Sequence, residues 1–337
     1  MSFLFLFFFF SLLTIGLASY LIYHLYFVPT EIDAKDKLVL VTGAAGGIGS
    51  QVVSDLVARG CEVIACDINL DRLNDLYRDQ ASKVHIEQVD VTSVKEIGDL
   101  GQRVRQKYCT NGRTLFGLVN NVGIGPTEVS SLVDKSEEQM MKMVNINLLA
   151  AHRFVREFFP CMTRLQPDSV QKTEKQRNEF IGGSIVNISS VLASSFPGFI
   201  SFYPTTKAAV ACYSDSLRRE LRYKKVRVSY IQPGAIQTPI WKPPPVESNS
   251  EFAKELPIIG EAQKKIDELK KQPPSVVSDC ILKCLFTCRN SGYDGIEYMI
   301  AESNWFKYLS YRFLPLFPIW VSEWYFRQIE KPWFILG

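Results

Sequence analysis

The spacing of apolar and polar residues changes several times along the chain, and each change predicts an element. From Ser2 to Thr30 there is no Asp, Glu, Lys or Arg, and Phe3 to Phe10 with Leu12, Leu13, Ile15 and Leu17 make the run strongly apolar. At about 1.5 Å per residue a helix of this length exceeds the roughly 20 residues that cross a bilayer. Residues 1–30 are therefore expected to form a membrane anchor. A cleaved leader would begin with basic residues and carry a shorter apolar core. Tyr20, Tyr23, His24, Tyr26 and Phe27 have the mixed character of side chains at a membrane surface. Lys35 and Lys37 follow the anchor with Glu31, Asp33 and Asp36 among them, a balance that leans towards a body on the cytosolic side.

From Lys37 the period changes. Leu38 to Val41 is a continuous apolar run, predicting a buried strand; Thr42-Gly43-Ala44-Ala45-Gly46-Gly47-Ile48-Gly49 follows as a turn, and Ser50 to Arg59 as a helix. Further strands are predicted at Glu62 to Cys66, Val84 to Gln88, Leu115 to Val119, after Gly182-Gly183-Ser184, and at Val226 to Ile231. Asp90-Val91-Thr92 reads as a helix cap. Glu137 to Pro160 carries one long helical pattern, and a second helix bears Tyr203 and Lys207 and runs through Arg222. Strands alternating with helices imply a parallel sheet with crossover connections, its ligands gathered at the C-terminal ends of the strands.

Three stretches stand outside this alternation. The charged run from Thr163 to Glu179 reads as a surface excursion. Residues 239–274, with Pro243-Pro244-Pro245 and a helical patch from Glu261 to Lys271, read as a lid segment beside the cleft. The tail 301–337 holds four of the five tryptophans, with Lys307, Arg312, Arg327 and Lys331 among the rings. Such a tail suits either a membrane–water boundary or a cap over an apolar pocket.

Composition narrows the function classes. With 337 residues, 47% hydrophobic and 22% charged, the chain can bury a large core, and its net charge of +3 is spread without basic, aromatic-interleaved patches. Nucleic acid is not an expected partner. Of eight cysteines, Cys280, Cys284 and Cys288 fall at helical spacing and read as a buried stripe, and no Cys/His cluster has metal-ligand spacing. No metal is expected, and a reducing compartment fits a chain without a disulfide framework.

The chemistry gathers around Tyr203-Pro204-Thr205-Thr206-Lys207, thirteen residues after Ser190. Positions i and i+4 share a helix face, so phenol and ammonium serve one small volume. A free phenol titrates near roughly 10, and a neighbouring cation is expected to lower that value and make Tyr203 an acid/base. The glycine turn, between a strand and a helix N-terminus, has the form that holds a diphosphate. Asp67, at the end of the second strand, is placed to accept hydrogen bonds from an adenosine ribose and to repel a 2′-phosphate. No Arg or Lys lies between Asp67 and Leu70, which favours NAD over NADP. Asp90 is also within reach of an adenine on this reading.

Together these motifs resemble the short-chain dehydrogenases/reductases over about residues 37 to 300. The resemblance rests on Thr42-Gly43-x-x-x-Gly47-x-Gly49, Asn120-Asn121-Val122-Gly123, Asn147, Ser190, Tyr203-x-x-x-Lys207 and Pro233-Gly234-x-x-x-Thr238, in order. Val122 and Ala150 replace the Ala and Gly usual in that family. The resemblance implies an α/β, Rossmann-like doubly wound parallel sheet and reversible hydride transfer. It gives Tyr203 the proton transfer, Ser190 the substrate oxygen, Lys207 the tyrosine pKa and the nicotinamide ribose, and Asn147, ahead of its rival Asn145, a water in a proton relay. Cofactor contacts are implied at Thr42, Gly43, Gly47, Ile48, Gly49, Asp67, Asp90, Val91, Asn120, Gly123, Tyr203, Lys207, Pro233, Gly234 and Thr238.

The anchor, Asp67, the helix segment Ser214 to Leu221 and the tail resemble most the membrane-bound retinol and hydroxysteroid branch, which implies the endoplasmic reticulum, a lipophilic alcohol substrate and a homodimer through the helices carrying Asn147 and Tyr203. An NADP-dependent reductase of a lipid ketone and a catalytically silent cofactor-binding membrane scaffold are the rival readings. The intact set of Asn147, Ser190, Tyr203 and Lys207 speaks against the scaffold.

Overall fold

A computed structural model describes residues 29–126, 136–163, 182–194, 200–238, 271–289 and 298–301. The anchor segment, the charged run after Thr163, nearly all of the lid segment and the aromatic tail lie outside them. Among the described residues no helix is long and apolar enough to cross a membrane.

The strands are β1 (Pro29–Glu31), β2 (Leu38–Thr42), β3 (Glu62–Asp67), β4 (Val84–Gln88), β5 (Leu115–Asn120), β6 (Ser184–Ile188), β7 (Arg227–Pro233), β8 (Thr287–Arg289) and β9 (Tyr298–Ala301). The helices, in chain order, are α1 (Gly47–Ala58), α2 (Leu70–Tyr77), α3 (Val94–Lys107), α4 (Glu137–Val144), α5 (Ala150–Met162), α6 (Phe202–Leu221) and α7 (Ser275–Phe286). Seven strands form one parallel sheet in the order β4-β3-β2-β5-β6-β7-β9. The chain winds outward from β2 to β4 and then returns to the other side of β2 at β5. The resulting crevice between β2 and β5 is where such sheets bind ligands.

Strand alternation explains the two cores. Val39, Val41, Val63 and Ala65 face one side, where α1, α2 and α7 supply Val52, Leu56, Leu73, Val277 and Ile281. Leu38, Leu40, Ile64 and Cys66 face the other, against Ile97, Leu100, Phe154, Phe158 and Leu217 of α3, α5 and α6. Burying both faces requires runs without polar interruptions, and every residue of β2 and of β5 is buried. Full burial of a side chain such as Phe154 or Leu56 contributes about 1.5–3 kcal/mol.

Several boundaries differ from the sequence expectation. The long helix expected from Glu137 to Pro160 is divided by a π-helical turn over Asn145–Leu149, and Pro160 lies inside α5. The cap expected at Asp90 to Thr92 is supplied instead by Ser93, whose side chain accepts from the Glu96 N–H at 3.2 Å; Asp90 Oδ1 accepts from the Thr92 N–H and hydroxyl, both at 2.8 Å, in a tight turn. Strands β1, β8 and β9 were too short to stand out by period. β1 pairs antiparallel with β8, and Ile32 N–H donates to Phe286 O at 2.7 Å, tying the start of the body to the end of α7. Ser278 of α7 donates to Asp55 of α1 at 2.6 Å. Cys280 and Cys284 lie in α7 and Cys288 just beyond it in β8, all buried.

Candidate active site

The crevice is built from the ends of β2 and β5. Thr42, fully buried, donates its hydroxyl to Val119 O at 3.3 Å and accepts from the N–H groups of Asn121 and Val122 at 3.1 and 3.2 Å. Asn121 Nδ2 donates to Thr42 O and Gly43 O at 3.0 and 3.2 Å. Gly43 holds φ +66°, a conformation that glycine adopts without strain, and Gly46 caps α1. No side chain caps this helix and its first turn has no acidic residue. The first helical bond joins Ser50 N–H to Gly46 O at 2.8 Å, so the N–H groups of Gly47, Ile48 and Gly49 have no partner within the helix. A diphosphate suits this cradle.

At its other end stands Asp67, closing β3. Its Oδ2 accepts from the Ala45 N–H at 3.0 Å and its Oδ1 from the Asn69 N–H at 3.1 Å, so the carboxylate is fixed with lone pairs left for ribose hydroxyls. Val91 is buried, and its carbonyl accepts from Arg153 Nη1 at 3.5 Å, while Nη2 of the same arginine donates to Asn145 Oδ1 at 3.0 Å. Sequence reasoning missed Arg72. It lies beyond the span searched for a cation, yet α2 folds back so that its Nε donates to Ala45 O at 2.7 Å, on the same residue that Asp67 holds. The signal was present in Asn69, which caps α2, and in Leu73 and Tyr77, buried at i, i+4 spacing.

Ser190 and Tyr203 pair with each other, and Lys207 and Asn147 meet beside Gly123. Ser190 follows β6, its Oγ accepts from the Leu192 N–H at 3.2 Å, and its side chain hydrogen-bonds that of Tyr203. Lys207, one turn along α6, donates to Ile188 O at 3.0 Å and lies 5.8 Å from the Tyr203 ring centroid. A side chain at Gly123 would begin 3.1 Å from Lys207 Nζ and 3.3 Å from Asn147 Oδ1. Asn147 sits in the π-helical turn, a feature frequent at functional sites. Its Oδ1 accepts from the Ile124 N–H at 2.8 Å, and its Nδ2 donates to Ile124 O at 3.1 Å and Thr206 Oγ1 at 3.2 Å. Asn145 points elsewhere, donating to Met141 O at 2.9 Å.

The remaining predicted contacts line the same edge. Pro233 ends β7 beside Gly234, and the Thr238 hydroxyl is buried without a hydrogen-bond partner. Ile236 bridges Gln272 in parallel, with Gln272 N–H donating to Ala235 O at 2.8 Å and Gln237 N–H to Gln272 O at 2.7 Å, which brings the last residues of the lid segment back beside residues 235–237. Asn120 donates to Asn187 at 2.8 Å and Asn187 to Ser214 at 2.9 Å; Asn120 Oδ1 is buried and unpartnered. Asn120 thus stiffens the floor of the site. Among the described residues no group of His, Cys, Asp or Glu has the arrangement of a metal centre.

Electrostatics correct one expectation. Burial pushes the Tyr203 phenol above its ordinary value, with only the Ser190 hydrogen bond acting in the lowering direction. The Lys207 ammonium is directed to Ile188 O and is not among the causes that shift the phenol. Although Tyr203 as a residue is half-buried, its hydroxyl end is densely surrounded, and this decides the direction. Lys207, also desolvated, is brought down to about 8.

A glycine turn at a helix N-terminus, a fixed carboxylate at the end of β3 and a Ser/Tyr/Lys cluster stand together at the switch point of a parallel sheet, an arrangement suited to an oxidoreductase that binds a nicotinamide dinucleotide. A family model described as short chain dehydrogenase matches residues 37–247, and the chain belongs to that family. Retinol dehydrogenase 16 of Homo sapiens is 26% identical over 312 residues, covering 86% of this chain and 89% of that protein. The 3-oxoacyl-(acyl-carrier-protein) reductase of Thermotoga maritima is 32% identical over 66% of this chain and 84% of its own length. The 17-beta-hydroxysteroid dehydrogenase type 6 of Homo sapiens is 29% identical over 60% of this chain and 58% of that protein. Among solved structures, a short-chain dehydrogenase from Streptomyces avermitilis gives a TM-score of 0.67 at 20% identity, covering 88% of this chain and 98% of the other. A 3-ketoacyl-(acyl-carrier-protein) reductase from Brucella melitensis, complexed with NADH, gives 0.62 at 16% identity, covering 80% and 98%. These two similarities show the fold.

Proposed function

We propose that the protein oxidises, reversibly and with NAD, a hydroxyl on a lipophilic molecule of the steroid or retinoid kind, while held at a membrane by residues 1–30. The observation that carries the chemistry is the hydrogen bond between the Ser190 and Tyr203 side chains, with Lys207 one turn away and Asn147 on the same point above Gly123. In the oxidation direction Tyr203 accepts the proton of the alcohol in its phenolate form, which burial keeps the minor form at neutral pH, and the Ser190 hydroxyl donates to the oxygen as negative charge grows on it. When bound, NAD supplies the hydride acceptor. Lys207 holds a proton beside the tyrosine and would donate to the nicotinamide ribose of a bound cofactor. Asn147 fixes Thr206, whose hydroxyl donates to Tyr203 O at 2.9 Å, and so sets the first turn of α6.

The lipophilic substrate is supported by the names of two relatives, a retinol and a hydroxysteroid dehydrogenase, and by the uncharged run from Ser2 to Thr30. The endoplasmic reticulum, a cytosol-facing body and a homodimer through the helical segments that carry Asn147 and Tyr203 complete this reading. The second reading, an NADP-dependent ketone reductase, draws support from Arg72, a cation on the turn residue that Asp67 also holds.

One experiment separates the two. Membranes containing the protein are assayed for NADH and NADPH formation over a panel of retinol and hydroxysteroids. NADH formation is expected; turnover with NADP alone would hand the assignment to the reductase. Asp67→Ser is expected to raise kcat/KM for NADP relative to NAD by at least about tenfold, because it removes the repelling carboxylate and leaves Arg72 in place. An unchanged ratio would show that Asp67 does not set cofactor choice.

A further inference from the structure

Between Gly43 and Gly46 the glycine turn contains two residues, and all four of their backbone polar groups have partners outside the turn. Ala44 N–H donates to Cys66 O at 3.0 Å, and Ala44 O accepts from Tyr77 Oη at 2.6 Å. Ala45 N–H donates to Asp67 Oδ2 at 3.0 Å, and Ala45 O accepts from Arg72 Nε at 2.7 Å. Every partner comes from β3 or α2. Ala44, Ala45 and Tyr77 are buried, so water does not replace a lost partner at Ala44 O, and that acceptor would be left desolvated. Burial pushes the Tyr77 phenol well above its ordinary value, which keeps it a donor over the working pH range.

We propose that Tyr77 and Arg72 are positioning residues for the cofactor. They hold the carbonyls of Ala44 and Ala45 back against α2, so that the anion at the start of α1 meets N–H groups and no carbonyl oxygen. Because Asp67 grips the same turn, the clamp also sets the spacing between the diphosphate and adenosine ribose subsites. A carbonyl released from this clamp is free to rotate towards the diphosphate and repel it. The inference rests on reading the glycine turn as the diphosphate cradle.

The test uses the full chain in detergent, with ADP as the probe in equilibrium dialysis and NAD turnover measured in parallel. Tyr77→Phe and Arg72→Gln are each expected to raise the Kd for ADP and the KM for NAD by about tenfold, with kcat at saturating NAD within about twofold of the parent. Arg72→Lys, which keeps a donor, is expected to recover part of the loss. Arg72 is an exposed residue, so its variants carry the test even where Tyr77→Phe folds poorly. Unchanged ADP affinity in Arg72→Gln, or a fall in kcat in step with affinity, would overturn the clamp alone. A parent protein that retains neither ADP nor NAD would overturn the cradle itself, and the clamp with it.

Discussion

Tyr203→Phe is expected to lower kcat for alcohol oxidation by about 10²–10⁴-fold while leaving the Kd for NAD within about twofold of the parent. The substitution removes the hydroxyl that meets Ser190 and keeps the ring, and Lys207 retains its bond to Ile188 O. Loss of rate without loss of affinity identifies a group used in the chemical step. The same pair sets the pH dependence. Lys207 is drawn down by burial from an ordinary 10.5 to about 8, and the Tyr203 phenol is raised, so the first proton lost on raising the pH is that of Lys207. Oxidation, which needs a proton acceptor, is expected to rise through about pH 8 and then level. Reduction, which needs the proton, is expected to fall over the same window. Rates for both directions that stay flat between roughly pH 6 and pH 10 would remove this pair from the rate-limiting step.

The central sheet was legible because its strands are buried on both faces and so read as unbroken apolar runs bounded by glycine or polar residues. Leu38–Thr42 and Val84–Gln88 follow the expected strands within a residue. Even α7 left a trace, in the spacing of its cysteines. The unread parts share a cause: short elements whose identity depends on a distant partner. β1 and β8 span three residues each and exist because they pair with each other across more than 250 positions. The break in the long helix at Asn145–Leu149 leaves no period of its own, since Leu148, Leu149 and Ala150 suit an α-helix equally well.

The site shows the same division. Asn147, Ser190, Tyr203 and Lys207 each belong to a local motif of the sequence, and the structure pairs Ser190 with Tyr203 and sets Lys207 and Asn147 beside Gly123. Arg72 and Tyr77 belong to no motif. Their importance arises only when α2 turns back over the glycine loop, a tertiary event that a one-dimensional search for cations near Asp67 does not register. The pKa of Tyr203 likewise depends on how deeply the phenol is enclosed, a property of packing. The sequence carries the candidate groups as motifs, and their environment appears only in the fold.

Gly49→Ala is expected to abolish cofactor binding, with a rise of more than about 100-fold in the Kd for NAD and a destabilisation of about 1–3 kcal/mol. A Cβ at Gly49 would stand 2.0 Å from Gly43 O, 2.8 Å from Gly43 C and 2.9 Å from Ala44 Cα. These atoms are backbone, so no rotamer relieves the overlap. Either α1 retreats from the turn or the turn moves, and Ala44 and Ala45 are fixed behind by Tyr77, Arg72 and Asp67. Retreat of α1 therefore takes its N–H groups away from the diphosphate. The control is Gly98, inside α3, where an added Cβ meets nothing within 4 Å. Gly98→Ala is expected to stabilise the protein by about 0.5–1 kcal/mol through helix propensity, with unchanged NAD affinity. Thermal melts with and without NAD read both variants. Gly49→Ala melting with the same NAD-induced shift as the parent would show that the close approach of α1 to the turn is not what holds the cofactor.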